Sequence, residues 1–394
     1  NVPHLRFPEF HGEWCVSTIG EQFDLYSGNT PSRLNKEHFE GNVNWITSGE
    51  LKEHYISDTK EKISEDAATA NNLKLLHPGT FVIAIYGLEA DGVRGTGSIT
   101  CKESTISQAC MAFTQKGDVK NEFLYSWYKK HGNIIGIKYA QGTKQQNLSY
   151  DILEKFHIAY PSQDEQDKLI KFISLLDERI ASQSKLIEDL KKLKSAIIVE
   201  HYRQTEKNEV CVADLGNHFN VGNLAKDDLS ETGKPCIIYG ELFTTYGEII
   251  SQIESHTNKT EGMILSKKGD LLFPSSTTVD AVSLIAPSVI NVDNVILGGD
   301  MFGIHINHNY NTQYLSYYFN HIAKKQLAKF AKGSTIIHLH YTDIEKAKLL
   351  LPSLEEQNRM AKCLVALDKK VSVEQNLLSS LTCQKSYLLQ QMFI

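Results

Sequence analysis

The sequence predicts an α/β (α+β) protein made of two tandem globules, each followed by one long helix, with the two helices pairing as an antiparallel coiled coil. Three observations predict this fold class. One segment occurs twice, strand-like runs separated by glycine-rich turns precede each copy, and a long heptad-patterned segment follows each copy. A pseudo-two-fold arrangement of the two copies makes their helices antiparallel.

The repeat is clearest where LSYDILEKFHIAYPSQDEQ (148–166) reappears as LHYTDIEKAKLLLPSLEEQ (339–357). Tyr150 and Tyr341 are 191 residues apart, and this register runs without a gap into the Pro-Ser-x-x-Glu-Gln segments. It continues upstream, where FLYSWY faces YLSYYF and SGEL faces YGEL. Solenoid repeats are about 20–50 residues long, so each of these longer copies is predicted to be a domain.

The globules are predicted over residues 1–160 and 204–351. Their strand-like runs include FVIAIY, DLLFP, FHIAYP and KLLLP, and glycine separates many of these runs from the next. The polar segment HYRQTEKNE (201–209) ends the first long helix and is the predicted linker to the second globule.

The long helices are predicted over residues 161–203 and 352–394. Each follows a proline with acidic residues in the first turn, which is an N-terminal helix signature. Apolar residues recur at alternating steps of four and three, the rhythm of a coiled coil. A lone amphipathic helix packed on its own globule is the alternative. The predicted seam contains Ile173, Leu176, Ile180, Ile187, Leu190, Leu364, Leu367, Val371, Leu378 and Leu381.

The composition is that of an ordinary globular protein, with 41% hydrophobic and 22% charged residues in a chain of 394. No apolar run approaches the length of about 18 residues that a membrane span needs. The seven cysteines include no CxxC pair, which favours reduced thiols in a cytoplasm over disulfides or zinc. The net charge of −6 argues mildly against nucleic acid, but charge is unevenly distributed.

Motifs for catalysis are missing from the sequence. There is no phosphate-binding loop, no GxSxG elbow and no Asn/Asp-Pro-Pro-aromatic signature of amino-group methyltransferases, and the Gly-Thr-Gly at 95–97 is too short for a dinucleotide fingerprint. His305 with His308, or His338 with His340, are conceivable metal ligands, but surface or strand histidines are the favoured interpretation. We therefore predict neither intrinsic catalysis nor a metal site.

Two windows at equivalent positions of the repeat contain no Asp or Glu, residues 123–150 and 301–342. Both mix lysines with aromatic residues, and both end in a glycine–hydroxyl loop, QGTKQQN and KGSTIIH. Lysine and hydroxyl side chains contact phosphates, and Gln or Asn reads adenine edges. The windows therefore predict DNA binding, with a solvated helical face as the alternative.

Polar glycine loops add further candidates for DNA contact, with ordinary turn structure as the alternative for each. Arg94 is a candidate guanine reader. In the first copy the candidates are Ser27, Asn29, Thr30, Arg33, Thr47, Ser48, Tyr86, Arg94, Thr96, Lys138, Thr143, Lys144, Gln145 and Gln146. In the second they are Asn223, Tyr239, Ser275, Ser276, Thr277, Thr278, Lys329, Lys332, Ser334, Thr335 and His338.

The whole chain resembles the specificity (S) subunit of Type I restriction–modification enzymes. The resemblance is carried by the opening VPHLRFPEFHGEW, the SGNTP and WITSGEL segments, the loops at Gly142 and Gly333, and the two Pro-Ser-x-x-Glu-Gln helices. It implies that each globule is a target recognition domain for one half of a bipartite, asymmetric DNA site, and that the helices are a spacer. The second copy has VGNLA in place of SGNTP, so individual base contacts do not transfer between the copies.

The resemblance also implies the partners. Two modification subunits use S-adenosylmethionine to methylate adenine N6, and restriction subunits use ATP and Mg for translocation and cleavage. We therefore expect a non-catalytic, cytoplasmic DNA-recognition subunit that binds double-stranded DNA and positions these methyltransferase and restriction subunits, with no cofactor of its own and no membrane contact. The alternative is an interaction protein that scaffolds other proteins on its coiled coil without DNA.

Overall fold

The structure is a computed structural model that describes residues 1–90, 92–142 and 146–394. The chain forms two compact units: unit 1 contains Asn1–Ser184 and Asn376–Ile394, and unit 2 contains Lys185–Gln375. Each long helix therefore contributes one segment to each unit. Every contact described below lies within one unit.

Unit 1 is built on a five-stranded sheet in the order β2-β9-β6-β7-β4, with a smaller sheet β5-β3-β8 and the antiparallel pair β1-β10. Pairing is antiparallel except between β4 and β7 and between β3 and β8. The strands are β1 (Cys15–Thr18), β2 (Phe23–Ser27), β3 (Val43–Ile46), β4 (Tyr55–Ile56), β5 (Lys62–Ile63), β6 (Phe81–Ala84), β7 (Gly97–Thr100), β8 (Ser104–Ile106), β9 (Cys110–Gln115) and β10 (His157–Tyr160).

One aromatic helix covers the large sheet of unit 1. Its buried residues Phe123, Trp127 and Tyr128 recur at helical spacing and pack in one core with Phe81 and Phe113 of the sheet. The helices are α1 (Ile19–Gln22), α2 (Glu65–Ala70), α3 (Asn121–Tyr139), α4 (Tyr150–Leu153) and the first segment of α5 (Gln163–Gln204).

Unit 2 repeats this design. Its sheet β12-β22-β18-β20-β15 has the connectivity of the large sheet of unit 1, but its second sheet is larger, β13-β16-β14-β21-β17. The strands are β11 (Asn208–Cys211), β12 (Gly216–Asn220), β13 (Leu229–Ser230), β14 (Lys234–Ile238), β15 (Ile249–Ile250), β16 (Ser255–Thr257), β17 (Ile264–Leu265), β18 (Asp270–Pro274), β19 (Ser276–Thr277), β20 (Ser288–Ile290), β21 (Ile296–Gly298), β22 (Met301–Ile306), β23 (Ile337–His338) and β24 (Lys348–Leu351).

The helix that covers the large sheet of unit 2 is interrupted. A π-helical turn at Phe319–Ala323 separates α8 from α9, whereas the equivalent helix α3 of unit 1 is continuous. The helices are α6 (Glu241–Thr244), α7 (Ala281–Leu284), α8 (Thr312–Tyr318), α9 (Lys324–Leu327), α10 (Tyr341–Ile344) and α11 (Leu354–Met392).

The long helices pair with opposite directions inside each unit. In unit 2, Lys194 of α5 contacts Asp368 of α11, and seven residues further along α5 His201 contacts Glu356, earlier in α11. In unit 1, Asp177 contacts Lys385. Near the N-terminus, the amide of Leu5 donates to the carbonyl of Gln391 in α11, and the neighbouring Arg6 donates to Glu165 in α5. Relative to Asp177 and Lys385, this contact lies earlier in α5 and later in α11, so the two helices are again antiparallel.

The predicted seam lies on the buried face of each long helix. Ile173, Ile187, Leu364, Val371 and Leu381 are buried, and the other five predicted seam positions are partly buried. Apolar residues off the seam, such as Leu175 and Val373, are exposed. The seam thus buries its apolar surface while the opposite face of each helix stays in water.

The ends of the long helices differ from the predicted positions. Both helices begin two residues after their proline, at Gln163 and Leu354, because Pro161 and Pro352 lie in the preceding extended turn. The predicted linker 201–209 is mostly regular structure, since α5 continues to Gln204 and β11 begins at Asn208. The segment therefore ends the first long helix, as the sequence indicates, and residues 205–207 connect that helix to β11.

Candidate nucleic-acid interface

In unit 1, two polar loops that are distant in sequence meet beside the large sheet. The chain leaving β6 forms a bridge between Tyr86 and Asn147, and Gln141 also bridges Asn147. The amide of Leu88 donates to the carbonyl of Gln146 at 3.1 Å. The loop after the central strand is therefore tied to the loop after α3, and we call these segments (86–96 and 141–147) the loop pair of unit 1.

The same pair of loops meets in unit 2. Strand β19 pairs with β23, so that Ser276 lies opposite His338 and Thr277 opposite Ile337. Lys332 and His338 exchange two backbone hydrogen bonds of 2.9 and 2.7 Å, as Gln141 and Asn147 do in unit 1. The repeat register of 191 residues relates Lys332 to Gln141 and His338 to Asn147. We call these segments (275–283 and 332–338) the loop pair of unit 2.

Glycine permits the tight turn in each second loop. Gly142 has φ 108° and the equivalent Gly333 has φ 115°, a region that other residues rarely adopt. A Cβ on Gly333 would lie 2.0 Å from the carbonyl oxygen of Ile336. The turns at these glycines bring Gln141 to Asn147 in unit 1 and Lys332 to His338 in unit 2.

Gln146 is held from several sides in unit 1. Arg94 Nη2 donates to Gln146 Oε1 at 3.0 Å. The backbone amide of Gln146 donates to Glu89 Oε2 at 2.8 Å, and this hydrogen bond lowers the pKa of Glu89. The Arg94 side chain crosses α3 where Gly136 leaves room, since a Cβ there would lie 2.4 Å from Arg94 Cγ. Arg94 therefore fixes an amide side chain as well as presenting its own donors.

Acidic side chains from outside the window hold the loop pair of unit 2. Ser276 Oγ donates to Asp300 Oδ2 at 2.8 Å, and Lys332 forms an ion pair with Asp343 and lowers its pKa. Asp280 caps α7 by accepting from the amide of Ser283. The loops of the second acid-free window therefore have carboxylate neighbours, because the fold places Asp300 and Asp343 beside them.

A second pair of predicted segments also meets in each unit. In unit 1, Trp45 Nε1 donates to the carbonyl of Asn29 at 3.1 Å, which joins SGNTP to WITSGE. In unit 2, Gly299 lies between the two segments. Its amide donates to the carbonyl of Gly222, which precedes Asn223, and a Cβ on Gly299 would lie 3.0 Å from Tyr239 Cδ1. The sequence predicted each segment separately, and the fold brings them together.

Arg33 and Thr47 already have partners on the protein. Arg33 donates to both oxygens of Glu61 at 2.8 Å and lies over the rings of Phe39 and Trp45. Thr47 Oγ1 donates to Glu50 at 2.7 Å. A phosphate contact by Arg33 therefore has to compete with Glu61.

The predicted contact residues differ widely in exposure, and no finding tests their roles. Exposed positions are Ser27, Asn29, Arg33, Tyr86, Lys138, Asn223, Tyr239, Thr278, Lys329, Lys332, Ser334 and Thr335. Partly buried positions are Thr30, Thr47, Ser48, Arg94, Thr96, Gln146, Thr277 and His338. Ser275 and Ser276 are buried. Thr143, Lys144 and Gln145 lie outside the described residues.

The lysine–aromatic part of the windows has a structural role that the sequence interpretation missed. Lys130 Nζ donates to the carbonyls of Gln390 and Phe393 at 3.0 and 2.6 Å, and burial lowers the pKa of Lys129 to about 8. The aromatic residues of both windows are mostly core, including Tyr125, Trp127, Tyr128, Tyr317, Tyr318 and Phe319. An amphipathic helix shows this mixture of aromatic residues and lysines when its aromatic face packs on a sheet and its lysines lie beside another helix.

Glu89, Asp300 and Asp343 are the residues of these loops that sequence reasoning missed. Each supports a predicted contact residue by a hydrogen bond or an ion pair. A usable signal was present only for Glu89, which lies in the glycine-rich segment YGLEADGVRGTGS (86–98) that also contains Arg94. Within the described ranges, no group of three or more His, Cys, Asp or Glu residues is arranged to hold a metal ion. The described helices include none that is long and apolar enough to cross a membrane.

Comparison with known proteins decides the family. Residues 11–192 and 205–382 each match the model of the Type I restriction modification DNA specificity domain. The chain belongs to this family. As a specificity subunit it serves DNA sequence recognition in a type I restriction–modification system and is not itself an enzyme. The predicted fold class is confirmed, and the alternative of a scaffold without DNA receives no support.

Two curated relatives are specificity subunits from Methanocaldococcus jannaschii. The chain is 22% identical over 402 residues to the MjaVIII specificity subunit, covering 94% of this chain and 90% of that one. It is 28% identical over 185 residues to the MjaIX specificity subunit, covering 46% of this chain and only 42% of that one. The MjaIX match therefore spans less than half of its relative's length.

Solved structures share the fold over the full length of this specificity subunit. The S subunit of a Type I system from M. genitalium has a TM-score of 0.61 at 19% identity and covers 100% of this chain and 99% of that chain. A chain from a study of complex assembly and conformational transition in the type I R-M system has a TM-score of 0.61 at 14% identity, covering 99% of both chains. At these identities the likeness concerns the fold.

Proposed function

We propose that each unit reads one half of a bipartite, asymmetric site in double-stranded DNA. The observation that carries this proposal is the repeated loop pair. Both units bring together the segment after the central strand and the segment after the aromatic helix, and the bridged residues correspond at offsets of 190 (Tyr86 to Ser276) and 191 (Asn147 to His338) residues. Paired polar loops on a rigid sheet are a suitable support for base readout, since the sheet limits their motion.

The two loop pairs share a backbone arrangement but differ in chemistry, which supports recognition of two different half-sites. Unit 1 presents Arg94 and Gln146, whose guanidinium and amide groups match guanine and adenine edges. Unit 2 presents Thr278 and His338 at the corresponding loops. Exposed lysines near the loops, such as Lys138 and Lys329, are suited to phosphate contacts.

The paired long helices are proposed to hold the half-sites at a fixed spacing. Helix α5 has 42 residues, which at 1.5 Å per residue spans about 63 Å. Equivalent points on one DNA face repeat about every 34–36 Å, so a helix of this length is adequate to separate two half-sites by at least one turn. This role requires a stiff spacer, and the buried seam provides it.

The proposed partners of this chain are two modification subunits and the restriction subunits of the system. The modification subunits use S-adenosylmethionine to methylate adenine N6, and the restriction subunits use ATP and Mg; this chain binds none of these cofactors. The assembly is proposed to act in the cytoplasm, where the chromosome lies. The specificity subunit recognises the DNA sequence, and its partners carry out methylation, translocation and cleavage.

Methylome sequencing tests the proposal. The chain is expressed with its modification partner in a host that lacks other adenine methylation, and methylated sites are mapped. We expect one bipartite motif. Gln146→Ala should relax one half-site only, and His338→Ala the other only, because the two residues lie in different units. Lys116→Gln, which removes an exposed ion pair with Asp24, is the control. A single continuous motif, or one variant relaxing both halves, would contradict the proposal.

A further inference from the structure

In each unit, one charged residue of the globule reaches the long helices from the same place in the fold. His54 immediately precedes β4 and Glu248 immediately precedes β15, the end strands of the two large sheets, and both strands pair in parallel with their neighbour. His54 Nδ1 lies 3.4 Å from Asp177 Oδ2 of α5. Glu248 Oε1 lies 3.0 Å from Lys194 Nζ of α5.

In unit 1, the surroundings of His54 favour a positive charge. Its ring stacks between Tyr55 at 4.1 Å and Tyr125 at 3.9 Å, with interplanar angles of 8° and 1°. Its Nε2 lies 2.8 Å from Glu122 Oε2. Two aromatic faces and two carboxylates stabilise an imidazolium. The globule therefore presents a cation to Asp177, which also accepts from Lys385 of α11.

In unit 2, the charges are reversed. Glu248 accepts from Lys194 Nζ through both oxygens, at 3.0 and 3.1 Å, and Lys194 also donates to Asp368 of α11 at 2.7 Å. His321 Nε2 lies 3.0 Å from Glu248 Oε1, and the hydroxyl of Tyr317 donates to Asp368. Here the globule presents an anion to the lysine of the helix pair.

These charged contacts add direction to an interface that also contains an apolar core and other polar contacts, such as those of Lys130 with the carbonyls of Gln390 and Phe393. In unit 1, one core contains Trp14 and Phe123 of the globule together with Ile173 and Leu389 of the helices. Apolar burial is non-directional and tolerates small rotations, whereas a close ion pair such as His54–Asp177 weakens as the two charges move apart. The hydrogen bonds of Lys194 to Glu248 also weaken when their angle changes. The side chains of His54 and Glu248 are 14% and 18% exposed, so water competes little for them.

We infer that His54 and Glu248 are positioning residues that fix the angle at which each globule is held on its segments of the long helices. Resting on the proposed function, this assigns them control of the tolerated gap between the half-sites. Neither residue lies in the loop pairs, so the sequence read within each half-site does not depend on them. Without the charged contact, the apolar core still attaches each globule but allows it to rotate slightly.

The experiment measures gap tolerance with the intact chain and its modification partner. Methylome sequencing first defines the wild-type motif, and the methylated fraction is then measured at sites whose half-sites match but whose gap differs by one base pair. His54→Phe keeps an aromatic ring between the tyrosines and removes the charge, and Glu248→Gln removes the charge at nearly constant shape. Lys116→Gln and Lys259→Gln remove ion pairs on the surface of units 1 and 2 and serve as controls.

We expect His54→Phe and Glu248→Gln each to raise methylation at gap-shifted sites by about tenfold, with unchanged half-site sequences. His54→Arg should restore strict spacing, because a guanidinium is charged and stacks on aromatic rings. If His54→Phe fails to melt cooperatively, Glu122→Gln replaces it, and His321→Gln replaces Glu248→Gln in the same way. Folded variants that keep the wild-type gap preference, or controls that loosen it equally, overturn the inference. A wild-type chain that yields no bipartite motif refutes the proposed function instead.

Discussion

Lys194 Nζ lies 2.7 Å from Asp368 Oδ1, which joins α5 to α11 inside unit 2. The repeat register relates this pair to Lys385 and Asp177, which form the same contact inside unit 1. One lysine–aspartate pair therefore occurs twice, with the lysine on α5 in one unit and on α11 in the other. A polar pair in an apolar seam costs burial energy but selects one alignment of the helices.

Removing Lys194 should destabilise unit 2 strongly. Lys194→Gln leaves Glu248 and Asp368 partly buried without their ammonium partner, and an uncompensated buried charge costs about 3 kcal/mol. The expected result is a lower urea midpoint for the unfolding transition of unit 2, which is monitored with a probe placed in that unit. Lys192→Gln is a matched control nearby, since its pair with Glu188 is solvent-exposed. A midpoint equal to that control would show that the contact contributes nothing.

Acid should weaken unit 2 through Glu248. Burial by itself raises the pKa of Glu248, but His321 and Lys194 outweigh burial and lower the pKa from 4.5 to about 2. A depressed pKa means that this stabilisation is fully present above pH 4.5 and is lost as the pH falls through about 2. Thermal melting between these pH values should show a smaller loss of Tm in Glu248→Gln than in the wild type. Parallel curves would contradict the assignment.

Alkaline conditions should weaken the His54 contact in unit 1. Burial lowers the pKa of His54, but Asp177 and Glu122 outweigh burial and raise it above 6.5. The stabilisation is therefore full below pH 6.5 and is lost as the pH rises through the raised pKa. The groups that contact His54 are Tyr55, Glu122, Tyr125 and Asp177. Behind them, Lys385 donates to Asp177 and Lys129 lies over the Tyr125 ring. In His54→Phe, the difference in Tm between pH 6 and pH 9 should shrink; an unchanged difference would argue against a protonated His54.

Lys332 should contribute to DNA affinity without setting the sequence read. Lys332→Ala is expected to weaken binding similarly for all sequences and to reduce the salt slope by about one unit, because one phosphate contact is lost. Asp343→Asn removes the acidic partner of Lys332 and should have the opposite effect, tighter and more salt-sensitive binding. Fluorescence anisotropy of the chain with its modification partner, at several salt concentrations, measures both. A changed motif in Lys332→Ala would show that the residue reads bases.

Longer helices should widen the preferred gap between half-sites. Inserting one heptad after Ser184 and one after Gln375 preserves the seam rhythm. Seven residues add about 10 Å at 1.5 Å per residue, which corresponds to about three base pairs at 3.4 Å each. Methylome sequencing should find the same half-sites at the wider gap, while Lys185→Ala, which leaves the length unchanged, keeps the original gap. An unchanged gap in the lengthened chain would refute the spacer role.

Features that depend on local pattern were predictable from the sequence. The heptad seam, with Ile173 and Leu364 buried as expected, follows from residue spacing alone. The loop pairs were predicted only as separate segments, because bringing Tyr86 to Asn147 requires the sheet that places them side by side. The acid-free window of unit 1 predicts DNA binding, yet its Lys130 contacts the carbonyl of Gln390 in α11, because periodicity does not say which face of α3 meets a second element.

The sequence by itself determined the duplication, the two long heptad-patterned helices and the family, because these are carried by register, spacing and motif. Only the tertiary structure decided which charges meet. It placed Asp343 against Lys332, and it set His54 against Asp177 in one unit and Glu248 against Lys194 in the other. Such contacts join residues from different elements of the fold, and their energy depends on distance and burial that no local pattern specifies.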